Sequence, residues 1–303
     1  MFDTVAIAGL GLIGGSLGMA LRRRKLARRV VALVRRRVTL DEGRQMEALD
    51  DGGLDPMCVA DAELVVLCAP VRTIPLLAKQ IGPHLASGAL VTDVGSTKAV
   101  LAHTIPGLLP ESVHFLGGHP MAGSEQTGVL AAQETLFEGA TWALTPTIAT
   151  PIACVARMQQ LIHALGARDV VLEPEVHDRA VARISHLPHV VAAALATAAA
   201  SGSEPPPEVL RLLAAGGFRD TTRIAGGSPE MWRDICVTNR EALLEVLQEF
   251  EAGLAAFRAA LEADSADALF ARFEEARAAR AAIFPPASQA GGAEVLLPDL
   301  GEA

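Results

Sequence analysis

Two short loops carry the residue types best suited to proton-transfer chemistry. His119 lies in the segment GGHPMAGSE at residues 117–125, and Ser96 lies in DVGSTK at residues 93–98. Imidazole has a pKa near neutral, so a histidine in such a loop can serve as a general base. A histidine that only anchors the loop is the alternative for His119. A lone serine in a Gly-Ser-Thr turn is more commonly a helix cap.

Further polar segments stand in the second part of the chain. They are SHLPH at residues 185–189, GFRDTTR at residues 217–223 and MWRD at residues 231–234. His186 and His189 are three residues apart, a spacing that would suit two metal ligands on one helix face. Because no third ligand stands at a recognisable spacing, we predict no metal site.

A glycine-rich turn near the start of the chain indicates a dinucleotide site. Residues 5–16 read VAIAGLGLIGGS, which is an apolar strand, the pattern G-x-G-x-x-G and a helix start. The first glycine permits a tight turn, the second lets a pyrophosphate approach the backbone, and the third lets helix and strand pack closely. The predicted cofactor-binding residues of this turn are Gly9, Leu10, Gly11, Leu12, Ile13 and Gly14. An ordinary turn is the alternative.

The end of the second predicted strand bears on which dinucleotide is bound. NAD sites commonly place Asp or Glu there, where it accepts a hydrogen bond from the ribose 2′-hydroxyl. This chain instead reads VALVRRR at residues 31–37. Guanidinium groups complement a 2′-phosphate in charge and geometry, so Arg35 and Arg36 favour NADP over NAD, with NAD still open. A solvated basic loop is the alternative interpretation.

The elements that position these loops follow from hydrophobic patterning. Between residues 4 and 172, short β-branched runs alternate with amphipathic segments, the pattern of parallel βαβ units. The runs lie at residues 5–8, 30–34, 64–67, 90–92, 113–116, 141–144 and 169–172. In such sheets the carboxyl ends of strands border the ligand crevice, so the loops with His119 and Ser96 should face it.

After Glu173 the strand pattern gives way to helical spacing rich in Ala, Leu, Glu and Arg. The segment Ser228-Pro229-Glu230 is typical of a helix N-terminus. We therefore predict an α/β Rossmann-type dinucleotide-binding domain over residues 1–173 and an all-α helical domain for substrate and dimerisation over residues 174–284. Residues 285–303 carry Pro, Gly and Ser with little periodicity, which predicts a disordered tail.

Composition and charge exclude several classes of protein. The chain has 303 residues, half of them hydrophobic, with a formal net charge of −9, which disfavours nucleic acid as a partner. Its longest apolar stretch, at residues 190–200, is too short for a membrane span. Four widely spaced cysteines and the lack of a signal-peptide pattern at the start predict a soluble cytoplasmic protein.

Taken together, these motifs resemble the prephenate/arogenate (cyclohexadienyl) dehydrogenase family of tyrosine biosynthesis. The resemblance runs from Val5 to about Ile283, and GGHPMAGSE, SHLPH, GFRDTTRIA and SPEMWRDI carry it most specifically. It implies a Rossmann domain, a helical domain that forms a homodimer, and an active site between them. The implied reaction is oxidative decarboxylation of prephenate to 4-hydroxyphenylpyruvate, or of arogenate to tyrosine, with hydride transfer to NAD(P).

The resemblance also implies roles for individual residues. His119 matches the catalytic histidine that accepts the substrate hydroxyl proton, and Ser96 matches the serine that hydrogen-bonds both. The implied substrate-binding residues are Arg223, His189, Ser124, Asp220 and Trp232. Among these, Arg223 would bind a substrate carboxylate, Asp220 would cap the short helix that presents it, and a kink at Pro188 would direct His189 to the cleft.

Other functions stay open at this point. An arogenate or dual-specificity enzyme would need to recognise an ammonium group where prephenate has a keto group, and Glu230 is a candidate for that contact. A β-hydroxyacid dehydrogenase usually relies on a lysine in its helical domain, whereas lysine is almost absent here after Lys98. A non-catalytic NADP sensor would have no need of His119, Ser96 and Arg223 together. The patterns assign Lys98 no role.

Overall fold

An eight-stranded sheet forms the centre of residues 1–173, called here the first half. The computed structural model describes residues 1–124, 126–202 and 205–284, so the predicted tail at residues 285–303 lies outside the described residues. The strands in chain order are Phe2–Ala8 (β1), Ala27–Leu33 (β2), Asp51–Gly53 (β3), Leu64–Leu67 (β4), Leu90–Asp93 (β5), His114–Pro120 (β6), Thr141–Thr145 (β7) and Arg168–Val171 (β8).

The sheet has the strand order of a doubly wound dinucleotide-binding fold. Its order is β3-β2-β1-β4-β5-β6-β7-β8, and the strands from β1 to β6 are parallel. The first six match the order 3-2-1-4-5-6, which reverses direction between β1 and β4. The predicted Rossmann-type fold is therefore confirmed.

Two details of the sheet differ from the prediction. The expected parallel pattern ends at β7, which pairs antiparallel to β6, while β8 is parallel to β7. Parallel neighbours need a long crossover, whereas the described residues between β6 and β7 form only a short 3₁₀ turn at Val129–Ala131. The strand β3 was missed because Asp51–Gly53 has no apolar run.

Helices cover both faces of the sheet, as a parallel sheet requires. They are Leu12–Arg23 (α1), Arg37–Gln45 (α2), Ile74–Ile81 (α3), Ala99–Thr104 (α4) and Ile152–Ala164 (α5). Alternate residues of β1 belong to two separate cores. Val5 and Ile7 lie in the core that α1 and α5 share, and Ala6 and Ala8 lie in the core that α3 and α4 share. All four are fully buried, which fixes the register of this central strand.

The remaining described residues, 174–202 and 205–284, are helical and are called here the helical half. Its helices are Pro174–Val181 (α6), Leu187–Ala200 (α7), Pro207–Leu213 (α8), Gly216–Thr222 (α9), Pro229–Thr238 (α10), Arg240–Glu262 (α11) and Ala266–Ile283 (α12). One π-helical turn, Ala182–His186, joins α6 to α7. The predicted start of α10 is confirmed, because Ser228 Oγ accepts from the Met231 N–H with Pro229 in the first turn.

The helical half leaves much apolar surface in contact with water. Phe270 and Phe273 on α12 are 69% and 64% exposed, and Leu254 and Leu261 on α11 are 54% and 64% exposed. Every residue of α12 is at least partly exposed. An apolar surface of this kind is typical of a protein interface. Of the described helices, none combines the length and hydropathy needed to cross a membrane.

The glycine-rich turn has the geometry that its sequence predicts. Gly9 directly follows β1 and has φ +106°, a conformation that glycine adopts far more readily than other residues. An added Cβ at Gly9 would lie 2.2 Å from the carbonyl oxygen of Cys68, and one at Gly14 would lie 2.2 Å from that of Gly9. In contrast, nothing lies within 4 Å of an added Cβ at Gly11. The second glycine thus faces open space while the other two are packed.

Gly9→Ala should destabilise the first half, since it combines a strained φ with a backbone clash. We expect the strain alone to lower the free energy of unfolding by about 1–3 kcal/mol, measured by denaturant titration. The matched control is Gly11→Ala, for which we expect a change within about 0.5 kcal/mol. Equal losses in the two variants would contradict the packing described for this turn.

Candidate active site

His119 and Ser96 lie at the carboxyl ends of two neighbouring strands. β5 ends at Asp93, three residues before Ser96, and His119 is the penultimate residue of β6. The register pairs Thr92 of β5 with Leu116 of β6, so both loops leave the sheet at the same edge. This placement agrees with the prediction that the two loops border one crevice.

A buried ion pair connects these two loops. Lys98 Nζ donates to Asp93 Oδ2 and, over 2.7 Å, to the carbonyl oxygen of Gly118, directly before His119. Asp93 also accepts from the backbone N–H groups of Gly95 and Gly118, over 2.8 and 3.2 Å. Both charged side chains are completely buried. The pair therefore holds the loop of Ser96 against the strand of His119.

Burial and pairing act in opposite directions on this lysine. Burial lowers the pKa of Lys98, and the Asp93 carboxylate beside it raises the pKa. The net direction is downward, yet the two groups attract because the ammonium donates directly to the carboxylate. The structure thus gives Lys98 a role that the sequence patterns did not assign: it braces the loop backbone.

A second histidine stands behind His119. His119 Nδ1 lies 2.9 Å from His177 Nε2, and His177 Nδ1 lies 2.8 Å from Asp178 Oδ1. The two imidazole rings meet edge to face, with centroids 5.1 Å apart. His177 and Asp178 belong to α6 and are almost completely buried. The three side chains form a continuous hydrogen-bonded chain from β6 into the helical half.

Asp178 also fixes the start of α4. Its Oδ1 accepts from the Lys98 N–H over 2.7 Å, and its Oδ2 accepts from the Ala99 N–H over 2.9 Å. A carboxylate at a helix N-terminus satisfies N–H groups that have no partner within the helix. Asn239, between α10 and α11, donates to the Asp178 carbonyl and also approaches His186 Nδ1, over 2.8 and 3.0 Å. These contacts lock α6 against the loop of Ser96.

Burial keeps His119 and His186 neutral at pH 7. It lowers the pKa of His119 well below 6.5, and positive charge on His177, Lys98 or His186 opposes protonation further. Burial likewise lowers the pKa of His186 to about 4, although the Asp178 carboxylate acts in the opposite direction. A neutral His119 has one unprotonated ring nitrogen, which is what a general base requires.

The two predicted serines lie at different levels of exposure. Ser96 is half-buried in the bend after β5, and it makes no hydrogen bond to any residue that the structure describes. Its predicted bond to His119 is not formed in this structure; His119 Nδ1 contacts His177, and Nε2 is the nitrogen that such a bond would use. Ser124 lies in the exposed loop after β6, where its Oγ accepts from the Gln126 N–H over 3.2 Å. The roles of both serines stay predictions.

The helical half brings three of the predicted binding residues together. The His189 ring stacks on Trp232, with centroids 3.4 Å apart and planes 25° apart. Burial lowers the pKa of His189; its Ser185 hydrogen bond acts in the opposite direction, and the Arg223 charge also lowers that pKa. Arg223 opens the 3₁₀ turn Arg223–Gly226, which packs against α7.

One local prediction for this half is wrong and one stays a prediction. The kink at Pro188 stays a prediction: a π-helical turn at Ala182–His186 directly precedes this proline, and α7 accepts it in its first turn, where no N–H is needed. Asp220 does not cap a helix, because it lies inside α9 and accepts from the Arg219 side chain over 3.2 Å. Its carboxylate is exposed, so its place among the substrate-binding residues stays a prediction.

The glycine-rich turn is suited to a dinucleotide. Gly11 caps the amino end of α1, and neither a capping side chain nor an acidic residue occupies that first turn. The N–H groups at this helix end therefore remain available to a pyrophosphate, and the space beside Gly11 is open. Arg35 and Arg36 follow β2, are exposed, and make no ion pair within the described residues.

Sequence patterns did not single out His177 or Asp178. The dipeptide lies in the first helix after the predicted domain boundary, more than fifty residues from His119. The signal that the sequence offers is an adjacent His-Asp pair in a helix that follows Pro174. A metal role for the histidines finds no support in the described residues, where no cluster of three or more His, Cys, Asp or Glu side chains could hold an ion.

Comparison with known proteins covers both halves of the chain. The family model described as "Prephenate dehydrogenase, nucleotide-binding domain" matches residues 17–171. The model described as "Prephenate dehydrogenase, dimerization domain" matches residues 173–275. The two matches together span most of the chain.

Individual relatives show the same likeness. A prephenate dehydrogenase of Bacillus subtilis is 37% identical over 284 residues, which is 91% of this chain and 75% of that protein. The prephenate dehydrogenase of Aquifex aeolicus, solved with hydroxyphenyl propionate and NAD+, is 31% identical with a TM-score of 0.87, covering 93% of this chain and 99% of that chain. The arogenate dehydrogenase of Synechocystis is 33% identical with a TM-score of 0.81, covering 92% and 99%.

Lys98→Met should strongly destabilise the protein, because it leaves the Asp93 carboxylate buried without its partner. We expect the free energy of unfolding to fall by about 3–5 kcal/mol, measured by denaturant titration. Arg211→Met is the control, since it removes one member of an ion pair in which both side chains are 70% exposed. That change should cost at most about 1 kcal/mol. A loss for Lys98→Met no larger than for this control would refute the bracing role.

Proposed function

The chain belongs to the prephenate dehydrogenase family, and from this premise we propose that it converts prephenate to 4-hydroxyphenylpyruvate, with loss of CO2 and hydride transfer to NAD(P). The observation that carries the proposal is the neutral, partly buried His119 at the carboxyl end of β6. An imidazole in that place can accept the proton of a substrate hydroxyl.

The reaction needs a base beside the ring hydroxyl of the substrate. Prephenate carries a ring alcohol opposite a ring carboxylate. Hydride leaves the alcohol carbon while the hydroxyl proton passes to His119, and loss of CO2 then makes the ring aromatic. His119 Nδ1 already contacts His177, so Nε2 is the nitrogen that would receive the proton. Ser96, at the end of the neighbouring strand, would orient the hydroxyl.

The substrate also carries two carboxylates, which require cationic partners in a partly dry site. Arg223 and His189 lie close enough for the charge of one to lower the pKa of the other. We assign Arg223 to a substrate carboxylate, with His189 and its stacking partner Trp232 forming the adjacent wall. Ser124 and Asp220 are assigned to the outer edge of the pocket, since both are exposed.

Cofactor binding is assigned to the turn between β1 and α1. The backbone of the turn, with the residues Gly9, Leu10, Gly11, Leu12, Ile13 and Gly14, would hold the pyrophosphate. When bound, the nicotinamide supplies the acceptor for the hydride. We further propose a preference for NADP over NAD, because Arg35 and Arg36 follow β2 where an acidic residue would otherwise bind a ribose hydroxyl.

We also propose the boundaries and the assembly of the protein. The dinucleotide-binding domain would occupy residues 1–173 and the substrate and dimerisation domain residues 174–284, with two copies joined through the helical half. The exposed apolar side chains of α11 and α12 support such a homodimer. All four cysteines are free thiols, which supports the reducing environment of a cytoplasm.

Arogenate is the second candidate substrate, because the Synechocystis relative is an arogenate dehydrogenase. Arogenate carries an ammonium where prephenate has a keto group, so a nearby carboxylate would favour it. Glu230 lies on α10 two residues before Trp232, and N–H donation at the helix start lowers its pKa, together with a hydrogen bond from Ser228. Its carboxylate is therefore charged and available on the helix that lines the proposed pocket.

Turnover tests the proposed substrate and base together. We expect the wild-type protein to reduce NADP with prephenate at a higher kcat/KM than with arogenate. His119→Asn should lower kcat by about 100- to 10,000-fold because it removes the base, while the Kd of NADP stays unchanged. Retained turnover in this variant, or loss of cofactor binding, would return His119 to a structural role. A higher kcat/KM with arogenate would select the second candidate.

Cofactor choice has its own test. The double variant Arg35→Ala/Arg36→Ala should lower kcat/KM for NADP by about 10-fold or more and leave that for NAD unchanged, because only NADP carries the 2′-phosphate. Arg28→Ala is the control, since Arg28 is exposed on β2 and pairs with Asp3. A wild-type enzyme that uses NAD at least as efficiently as NADP would contradict the preference.

A further inference from the structure

The buried pair His177 and Asp178 has no part in the function proposed above. His177 touches His119 on one side and Asp178 on the other, over 2.9 and 2.8 Å. Both residues are at most 4% exposed, so neither can contact a substrate directly. Any effect of His177 on the chemistry must therefore pass through His119.

The contacts of Asp178 determine which nitrogen of His177 carries hydrogen. The Asp178 carboxylate accepts two backbone N–H groups, from Lys98 and Ala99, at the start of α4. Backbone N–H groups can only donate, and several such bonds favour the ionised carboxylate. Asp178 is therefore also the acceptor in its contact with His177. His177 Nδ1 must then bear a hydrogen, and in the tautomer with that single hydrogen Nε2 is an acceptor.

The same logic fixes the tautomer of His119. Because His177 Nε2 is an acceptor, the 2.9 Å contact requires that His119 Nδ1 donate. A neutral imidazole has only one hydrogen, so His119 Nε2 has a free lone pair. Through the two rings, Asp178 therefore makes Nε2 the basic nitrogen of His119.

The chemistry also needs a place to hold a proton for a short time. In the proposed reaction the hydroxyl proton leaves as hydride departs, and the aromatic product again carries a hydroxyl. Prephenate loses only hydride and CO2 overall, so the proton that the base takes must return to the same oxygen. A base that holds the proton alone becomes a cation beside Lys98, in a partly buried site.

We propose that His177 is a positioning residue that fixes His119 as the Nδ1–H tautomer and takes up one proton from His119 during turnover, an inference that rests on the proposed function. The O–H bond of the substrate breaks as His119 Nε2–H forms. The His119 Nδ1–H bond then breaks as His177 Nε2–H forms. The positive charge comes to rest on His177, and both transfers reverse when the product hydroxyl forms.

The charges around the two rings favour a proton on His177 over a proton on His119. Lys98, which is itself paired with Asp93, opposes a positive charge on His119, and His186 from the π-helical turn opposes a positive charge on either ring. His177 instead hydrogen-bonds directly to the Asp178 carboxylate. A single shared proton is therefore stabilised on the ring nearer to Asp178. A proton on either ring opposes a second proton on the other.

His177→Gln separates the storage of a proton from the orientation of His119. The glutamine carbonyl can accept from His119 Nδ1 but cannot take a proton, so we expect kcat to fall by about 10- to 100-fold with KM and the Kd of NADP unchanged. His177→Phe also removes the acceptor and should lower kcat further. His163→Gln is the matched control, because His163 forms a comparable pair with Asp169, over 2.6 Å, at an exposed place on α5. This control should keep the wild-type kcat.

The pH dependence of kcat/KM distinguishes proton storage on His177 from repulsion of His119 by a permanently charged His177. In the wild type, the acid limb of kcat/KM marks the first proton bound by the pair of rings. Without His177 that proton must stay on His119, whose pKa burial lowers, so the midpoint of the limb should move to lower pH. A midpoint that moves to higher pH would show that His177 carries a permanent charge, and it would overturn the proposal.

Nitrogen-15 NMR of histidine-labelled protein tests the tautomers without any turnover. We expect Nδ1–H signals for both His119 and His177 in the wild type at pH 8, assigned by their loss in His119→Asn and His177→Gln. An Nε2–H tautomer at His119, or an unchanged kcat in a folded His177→Gln, would refute the proposal. A wild type inactive with prephenate and arogenate but with both Nδ1–H tautomers would instead overturn the proposed function and the storage step, and leave the positioning role in place.

Discussion

The carboxylate of Asp178 joins the two halves of the molecule at the point where chemistry is expected. It accepts hydrogen bonds from the first turn of α4 and from His177, so a single side chain connects the end of the sheet with the first helix after it. Burial makes these bonds costly to lose, since an unpaired carboxylate in this place would be strongly destabilising. The direction of the His119 ring follows from this contact. The site therefore depends on the way the halves meet as much as on either half alone.

Local patterns were sufficient for much of the fold. The tight turn at Gly9 and the cap at Ser228 follow from residue type and immediate neighbours, and both appear as predicted. The strand order of a doubly wound sheet follows from alternation of strand and helix, and the family follows from motifs along most of the chain. The edge of the sheet at which His119 lies could be predicted for the same reason: parallel strands end on one side.

What the sequence could not show depends on contacts between distant segments. His177 lies 58 residues from His119 along the chain, and only the docking of α6 on the sheet brings the two rings together. β7 runs antiparallel to β6, and the described residues between the two strands form no crossover helix. No residue pattern predicts that such a helix is absent. At Asp220, a general preference suggested a helix cap, but α9 extends past this residue. Local tendencies yield there to tertiary packing.

The contacts at α4 also restrict how the molecule can move. Two backbone N–H groups bonded to Asp178, and a hydroxyl bond of 3.0 Å between Thr97 and Thr238, tie the halves together at short range. A second tie, between Arg72 and Asp234, is longer at 3.5 Å and involves a half-exposed arginine. Separation of the halves at α4 would break these bonds and leave buried polar groups without partners, which is costly. The orientation of the basic imidazole therefore depends on the two halves staying in contact beside α4.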